Sequence, residues 1–271
     1  MSTATLTAPA RPARVRPAAV YTLMLVVGIG AFLYPFWLPS EAFPDQAHGG
    51  DAPLIAAVVG VLVVGAVALE LRRGTMNGAT VAVLGVLSAF AGLLRLIDLP
   101  GNNAGLLFLV VLAGAAFGPR FGLLLGICAM ATSAVITGGI GPWLPFQMLA
   151  LGWMGGAAGL LGRATARLDP RLEVAVLAAY GWGWSFVYGA IMNLWSWPFL
   201  RGDGPTSWEP GLGFGDTLQH YWSFYATTSF GWDAATAFCN ALLIAVTGRA
   251  VMRTLRRFAH RLEPAVELDS A

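Results

Sequence analysis

Long apolar runs, separated by short polar segments, are the feature that most limits what this chain can form. Several of them reach the ~20 residues that a helix needs to cross a bilayer. Hydrophobic residues make up 57% of the chain and charged residues 11%, which leaves no room for a soluble catalytic or nucleic-acid-binding domain. The predicted fold is therefore all-α, a polytopic membrane bundle of about eight transmembrane helices. The predicted crossings lie near residues 20–38, 54–71, 78–97, 104–117, 121–137, 138–162, 172–199 and 221–251.

Arginine residues concentrate at alternate ends of these predicted helices. The 72–73 turn, Arg120, the 163–171 turn and both tails carry them, whereas the intervening loops hold Arg201 alone among acidic residues. Cytoplasmic loops of membrane proteins are enriched in Lys and Arg. The pattern therefore predicts that both termini lie in the cytoplasm.

The sixteen basic residues are all arginine, because the sequence contains no lysine. A P-loop needs a lysine to hold its phosphates, and Schiff-base chemistry also needs a lysine amine. Any ATP-driven step must therefore be performed by another polypeptide.

The segment 138–162 has the character of one close-packed membrane crossing. It opens with a Gly/Pro turn, and Pro145 suits the first turn of a helix. Two interlocked pairs of small residues follow, Gly152 with Gly156 and Gly155 with Gly159. Such pairs let helix backbones approach closely in lipid, so we expect these glycines to serve helix packing.

Polar and aromatic residues share helical faces in the last two predicted helices. The last helix carries Trp222, Tyr225, Ser229, Asp233, Thr236 and Asn240 on one stripe. The helix before it carries Tyr180, Trp184, Tyr188 and Trp195, with Asn193 near its outer end. Asp233 would lie ~16 Å below the start of a continuous helix. An aspartate there costs about 2.5–3.5 kcal/mol in lipid, so it should face protein or a cavity. Aromatic stripes also occur in protein cores and at membrane interfaces, so these residues could serve either packing or ligand binding.

Four segments of the chain are similar to one known family. They are GAAFGPRFGLLLGICAMATSAVITGG at 114–139, the following GPWLPFQMLALGWMGGAAGLL, the small-residue helix that ends in LLRL at 93–96, and WDAATAFCNALLIAVTGRAVMRTLRR at 232–257. They resemble the six-helix substrate-binding S component of energy-coupling factor (ECF) vitamin transporters.

The resemblance also divides the chain into parts. Residues 78–257 would form the six-helix substrate-binding core, and residues 20–73 would add two transmembrane helices before it. Residues 1–19 are expected to be a disordered cytoplasmic tail, and residues 258–271 a second cytoplasmic tail.

The resemblance implies a binding subunit and not an enzyme. S components of this family capture a vitamin from outside and dock on a transmembrane coupling subunit that carries two ATPases. ATP is used by those partners, so no intrinsic cofactor or metal is expected, and no nucleic acid. Docking uses the small-residue face of the core's first helix, here Ala82, Gly85 and Ala89.

A substrate site is predicted in the outer half of the last three helices. The predicted lining consists of Trp143, Gln147, Trp184, Tyr188, Asn193, Trp195, Ser229, Asp233 and Asn240. Aromatic faces would stack on the ligand, and amides and hydroxyls would hold its polar edge. Asn240 could lie below the site, and Asp233 could instead be a structural partner for donors across the bundle. Arg95 either binds an acidic ligand group or pairs with Asp98, one turn away.

The ligand is expected to be large or flat, because the chain contains 10 tryptophans and a long outer loop at 200–220. Cobalamin or a related corrinoid is the first choice among the substrates of this family. Thiamin, its pyrimidine or thiazole precursors, folate and pantothenate stay open.

Two other classes of function compete with this one. A stand-alone secondary transporter or channel could use Asp233 as a proton or cation site. An intramembrane enzyme would need a base at depth, yet the three histidines, His48, His220 and His260, fall in loops or tails. The two cysteines, isolated within predicted helices, do not suggest a metal site.

Overall fold

The computed structural model describes residues 17–38, 47–97, 99–101, 103–202 and 204–262. The predicted tails lie largely outside these residues, and so does Asp98. Helices dominate the described chain, as the sequence predicts, and they are α1 Pro17–Leu33, α2 Ala52–Arg72, α3 Gly78–Leu94, α4 Ala104–Phe117, α5 Pro119–Thr137, α6 Leu144–Thr165, α7 Pro170–Ser196, α8 Phe214–Thr228 and α9 Phe230–Leu262. Short 3₁₀ turns at Tyr34–Phe36 and Trp197–Phe199 extend α1 and α7.

Six helical segments in the described chain are long and apolar enough to cross a membrane. They are Ala19–Phe36, Ala52–Arg72, Pro119–Thr137, Leu144–Thr165, Pro170–Phe199 and Phe230–Arg261. α3 and α4 are also apolar but shorter, with 17 and 14 residues. The chain is thus a multi-pass membrane protein, and the predicted count of eight crossings remains a prediction.

The prediction of one continuous helix over 221–251 is wrong. The chain forms two helices there, α8 and α9, which meet at Ser229. Thr227 and Thr228 return their hydroxyls to the carbonyls of Ser223 and Phe224 at 2.8 and 2.7 Å, and such local bonds bend helices. Asp233 therefore lies in the first turn of α9 rather than about three turns into a helix.

Glycine contacts between α5 and α6 build the tightest part of the bundle. A Cβ at Gly155 would overlap the carbonyl oxygen of Gly122, and a Cβ at Gly126 would overlap that of Leu151. A Cβ at Gly159 would meet the backbone of Pro119. The close packing predicted for the α6 glycines is confirmed, and it brings the backbones of α5 and α6 into direct contact.

A buried ion pair joins α7 to α9 at the arginine-rich end of the bundle. Arg256 donates two hydrogen bonds to the Glu173 carboxylate, one of them at 2.8 Å, and Thr165 at the end of α6 donates a third at 3.3 Å. The Glu173 side chain is only 4% exposed. This cluster links α6, α7 and α9.

The two N-terminal helices pack as a hairpin mainly on α6. The Trp153 indole fills the space where Gly28 of α1 has no side chain. At one end of the hairpin, the buried carboxylate of Glu70 pairs with Arg120 at 3.2 Å and accepts a hydrogen bond from Tyr21 at 3.2 Å. The hairpin is thereby fixed to α5 as well as to α6.

At its other end, the hairpin is closed by a hydrogen-bonded group in the loop between α1 and α2. Asp51 accepts a hydrogen bond from Tyr34 at 2.6 Å and shares one of 2.7 Å with His48. Partial burial opposes ionisation of Asp51, but these hydrogen bonds outweigh it and lower the pKa of the carboxyl. The buried His48 ring in turn packs on Phe146 at the start of α6, with ring centroids 4.4 Å apart.

Candidate functional site

A cavity of about 420 Å³ lies where the end of α7 meets the start of α9. The loop between α3 and α4 and the first turn of α6 complete its wall. Its lining in the described residues consists of Gly101, Asn103, Gln147, Ser185, Tyr188, Gly189, Met192, Asn193, Ser229, Trp232, Asp233 and Thr236. Its size falls within the range of about 300–1,000 Å³ that is usual for small-molecule sites.

Five residues predicted from the sequence meet in this cavity, namely Gln147, Tyr188, Asn193, Ser229 and Asp233. Two hydrogen bonds organise them. Ser229 donates to the Asn193 Oδ1 at 2.9 Å, and Tyr225 donates to the Asp233 Oδ2 at 2.9 Å. These bonds set the orientation of both side chains, and Asp233 lies in the first turn of α9.

Three polar atoms of the lining are buried and have no hydrogen-bond partner among the described residues. They are the hydroxyl of Tyr188, the Nδ2 of Asn193 and the Oδ1 of Asn103. Burial without a partner costs about 1–3 kcal/mol for each such group. A cavity with several of these groups is suited to a ligand that supplies the missing bonds.

Two glycines make the geometry of the cavity possible. The Asp233 carboxylate lies against the backbone of Gly189, where any side chain would displace it. Gly101, at a φ of 87°, brings the α3–α4 loop onto α9, and its carbonyl accepts a hydrogen bond from Thr236 at 2.8 Å. Asn103 is thus held over the cavity by the contact of its own loop with α9.

The three tryptophans predicted to line the site lie elsewhere. Trp143 is 39% exposed and donates its indole N–H to the carbonyl of Gly139 at 3.2 Å. Trp184 stacks on Tyr180 with centroids 5.6 Å apart, on the side of the bundle that faces α1. Trp195 lies between Trp143 and the His48 ring. All three side chains build the join between the hairpin and the core rather than the cavity.

Asn240 and Arg95 also lie outside the cavity lining. The buried Asn240 donates to the carbonyl of Gly181 at 3.0 Å, one layer below Ser185, which agrees with the expectation that it lies under the site. Arg95 donates to Ser133 on α5 at 3.3 Å. The alternative partner considered for Arg95, Asp98, is outside the described residues.

Comparison with protein-family models identifies the chain. The family described as "ECF transporter, substrate-specific component" matches residues 79–247, which is more than half of the sequence. The chain belongs to this family. The predicted resemblance is confirmed at this level. No curated protein and no solved structure matches the chain at a significant level.

Membership as an ECF substrate-specific component assigns a role in transport, because the family consists of substrate-binding components of transporters and not of enzymes. It also implies association with ECF coupling and ATPase subunits. All residues that line the cavity, from Gly101 to Thr236, lie inside the matched segment, whereas α1 and α2 precede it. The cavity therefore belongs to the part that this S component shares with its family.

The small-residue face predicted for docking is exposed. Ala82, Gly85 and Ala89 all point away from the bundle on α3, and a Cβ at Gly85 would meet nothing within 4 Å. Larger apolar side chains flank them, with Val86 68% exposed and Phe90 52% exposed. This exposed face of α3 combines three small residues with larger apolar side chains beside them.

The sequence-based prediction missed most of the remaining lining, including Gly101, Asn103, Ser185 and Gly189. Two signals could have found them. Ser185 and Gly189 continue the helical face of Tyr188 and Asn193 at spacings of three and four residues. The Gly-Asn-Asn sequence at 101–103 comes directly before α4, although the contact of Gly101 with α9 depends on the fold.

Proposed function

We propose that this chain captures a vitamin or vitamin precursor in the α7–α9 cavity for import by an ECF transporter. A transmembrane coupling subunit and two ATPases would supply the energy, since the chain contains no lysine for a P-loop. The observation that carries the proposal is the set of unpartnered polar atoms of Tyr188, Asn193 and Asn103 in a cavity within the family-matched segment.

The proposed orientation is eight crossings in the cell membrane with both ends in the cytoplasm. α3 and α4 would be the two short crossings. The cavity lies at the starts of α4 and α9 and the end of α7, opposite the ends that carry Arg120, Arg163 and Arg256. Because arginine marks the cytoplasmic side, the cavity would open outwards.

The proposed contact with the coupling subunit is the α3 face of Ala82, Gly85 and Ala89. Helices associate in membranes through close packing at small residues, and this face is exposed and unfilled. The hairpin packs mainly on α6 and so leaves the α3 face available.

Cobalamin remains an untested prediction, and the dimensions of the cavity favour the smaller candidates. A volume of about 420 Å³ suits a one- or two-ring vitamin, whereas a corrinoid with its side chains is much bulkier. Two of the ten tryptophans that suggested a large flat ligand, Trp143 and Trp195, pack between the hairpin and the core rather than in the cavity.

The test has two parts, binding and assembly. Calorimetry of the purified chain against a panel of vitamins should show saturable binding of one of them, and coexpressed coupling and ATPase subunits should copurify with the chain. Gly85→Leu should prevent copurification without changing vitamin binding. Gly65→Leu is the matched control, because Gly65 is equally unfilled on the exposed face of α2.

Failure of both binding and assembly would overturn the proposal. Uptake into proteoliposomes that contain this chain alone would instead support the stand-alone transporter, for which the Asp233 carboxylate in the cavity is the natural proton or cation site. Loss of proton coupling in Asp233→Asn would then complete that case.

A further inference from the structure

We infer that the cavity selects a small nitrogen heterocycle with an exocyclic amino group or a positive charge, and that it discriminates against carboxylate-bearing vitamins. The inference rests on the proposed function, in which this cavity is the substrate site. It is argued from the charge, the hydrogen-bonding polarity and the size of the lining.

The charge of the cavity is negative. Asp233 is the only charged side chain among the described residues that line it. Its Oδ2 accepts one hydrogen bond from Tyr225, and its other oxygen accepts none from the described residues. A partly buried carboxylate is stabilised by a cation or by strong donors, and a second carboxylate beside it is strongly disfavoured.

The hydrogen-bonding polarity of the lining matches a heterocycle with a donor and an acceptor on adjacent atoms. Within the described part of the chain, the Oδ1 of Asn103 is an acceptor without a partner, in addition to the Asp233 carboxylate. The Nδ2 of Asn193 is likewise a donor without a partner there, while its Oδ1 accepts from Ser229. An amino group on the ligand would donate to the acceptors, while a neighbouring ring nitrogen would accept from the amide.

Tyr188 and Trp232 supply aromatic surface in the same cavity, and the Tyr188 hydroxyl is a further unused group that can donate or accept. A planar ring would gain stacking contacts there. The volume of about 420 Å³ restricts the ligand to a small molecule.

Arg95 is the cation that the sequence suggested as a site for an anionic ligand group. It interacts electrostatically with Tyr188 but does not line the cavity, and one of its nitrogens is bonded to Ser133. A ligand carboxylate would therefore meet Asp233 before it met Arg95. Among the candidate vitamins, this favours thiamin and its aminopyrimidine precursor over folate and pantothenate.

The test is calorimetry on the full-length chain in detergent with four probes: thiamin, 4-amino-5-hydroxymethyl-2-methylpyrimidine, the same pyrimidine without its amino group, and pantothenate. We expect saturable binding of thiamin or the aminopyrimidine. Loss of the amino group should weaken binding about 10-fold or more, since hydrogen bonds to charged groups are among the stronger ones. This comparison of probes needs no variant of the protein.

Asp233→Asn should weaken the preferred probe by about 10- to 100-fold, the range expected for a lost hydrogen bond to a charged group. Asp216→Asn is the matched control, because Asp216 is an exposed carboxylate on α8 that lies outside the cavity. It should leave affinity unchanged. Equal effects of the two substitutions would overturn the role of Asp233.

Tighter binding of pantothenate than of the amino-bearing probes would overturn the inference while leaving the proposed function intact. The same holds if none of the four probes binds but the chain still copurifies with the coupling and ATPase subunits. Absence of both binding and copurification would overturn the proposed function, and the inference with it.

Discussion

The helices α4–α6 and the helices α7–α9 are built on opposite principles. In the first group, glycines bring backbones together so closely that a Cβ at Gly122 or Gly155 would overlap the facing chain. In the second group, the end of α7 and the start of α9 line a cavity, and the side chains of Tyr188 and Asn193 there keep polar atoms unpartnered among the described residues.

If the cavity binds substrate as proposed, this difference assigns stability to the first group of helices and specificity to the second. Closely packed helices are stabilised by many weak dispersion contacts, and they leave no space for a larger side chain. Buried polar groups without a partner lower the stability of the fold, and a ligand that forms the missing hydrogen bonds removes this cost on binding. The four predictions below test this division, from the largest expected effect to the smallest.

Gly155→Val should prevent folding, because the new side chain would overlap the Gly122 backbone and force α5 and α6 apart. Overpacking of cores costs about 1–3 kcal/mol where side chains can adjust, and a backbone contact cannot adjust in that way, so we expect at least ~3 kcal/mol. Size-exclusion chromatography and thermal unfolding in detergent would measure the loss. Gly85→Val, at an open position, is the control, and equal damage from both would contradict the account of α4–α6.

Arg256→Ala should destabilise the α7–α9 half without directly changing the cavity. It leaves the Glu173 carboxylate buried and without its cation, for which about 3 kcal/mol is expected, the low end of the usual range because Arg256 is 32% exposed. The midpoint of thermal unfolding would report it. Arg253→Ala removes an exposed arginine one turn earlier and should have little effect; a similar shift in both would indicate a general charge effect.

Tyr188→Phe should separate binding from stability. The hydroxyl has no partner among the described residues, so its removal should leave the unfolding midpoint unchanged or raise stability by ~1 kcal/mol, while vitamin affinity falls. Calorimetry and thermal unfolding on the same preparation would test this. Marked destabilisation with unchanged affinity would show that the hydroxyl is a structural group.

The smallest effect is expected at Asp51, which belongs to neither half. A carboxyl whose pKa is lower in the folded state stabilises the fold above its unfolded pKa of about 3.9, and this contribution is lost as the pH falls through the folded pKa. Asp51→Asn should therefore lower stability at pH 6 by less than ~1 kcal/mol, given the partial exposure of the group. The gap between variant and wild type should close below pH 4, and a gap that persists there would exclude this linkage.

Hydropathy predicted the all-helical membrane class, because a membrane-spanning helix can be recognised from the length and composition of its apolar run alone. The break at Ser229 escaped prediction, since the hydroxyls of Thr227 and Thr228 act on the backbone without changing the apolar pattern. The family motifs were enough to anticipate a substrate-specific component.

The candidate site was predicted in part. Tyr188, Asn193 and Asp233 stood out because polar residues are rare in apolar helices, and such residues are expected to face protein or a cavity. Asn103 could not be found in this way, because its place depends on the contact between Gly101 and Thr236, which are distant in sequence. Trp195 was predicted to line the site, but it packs on His48 instead. The sequence cannot distinguish the two roles, because an aromatic side chain at a helix end can pack between helices as well as on a ligand.

The contact between Gly28 and Trp153 attaches the hairpin to α6, and the two added helices enlarge the perimeter of the molecule that is exposed to lipid. If the subunit tilts in the bilayer, α1 and α2 must move together with the core. Glu70 and Arg120 join them to the core at one end, and His48 joins them at the other.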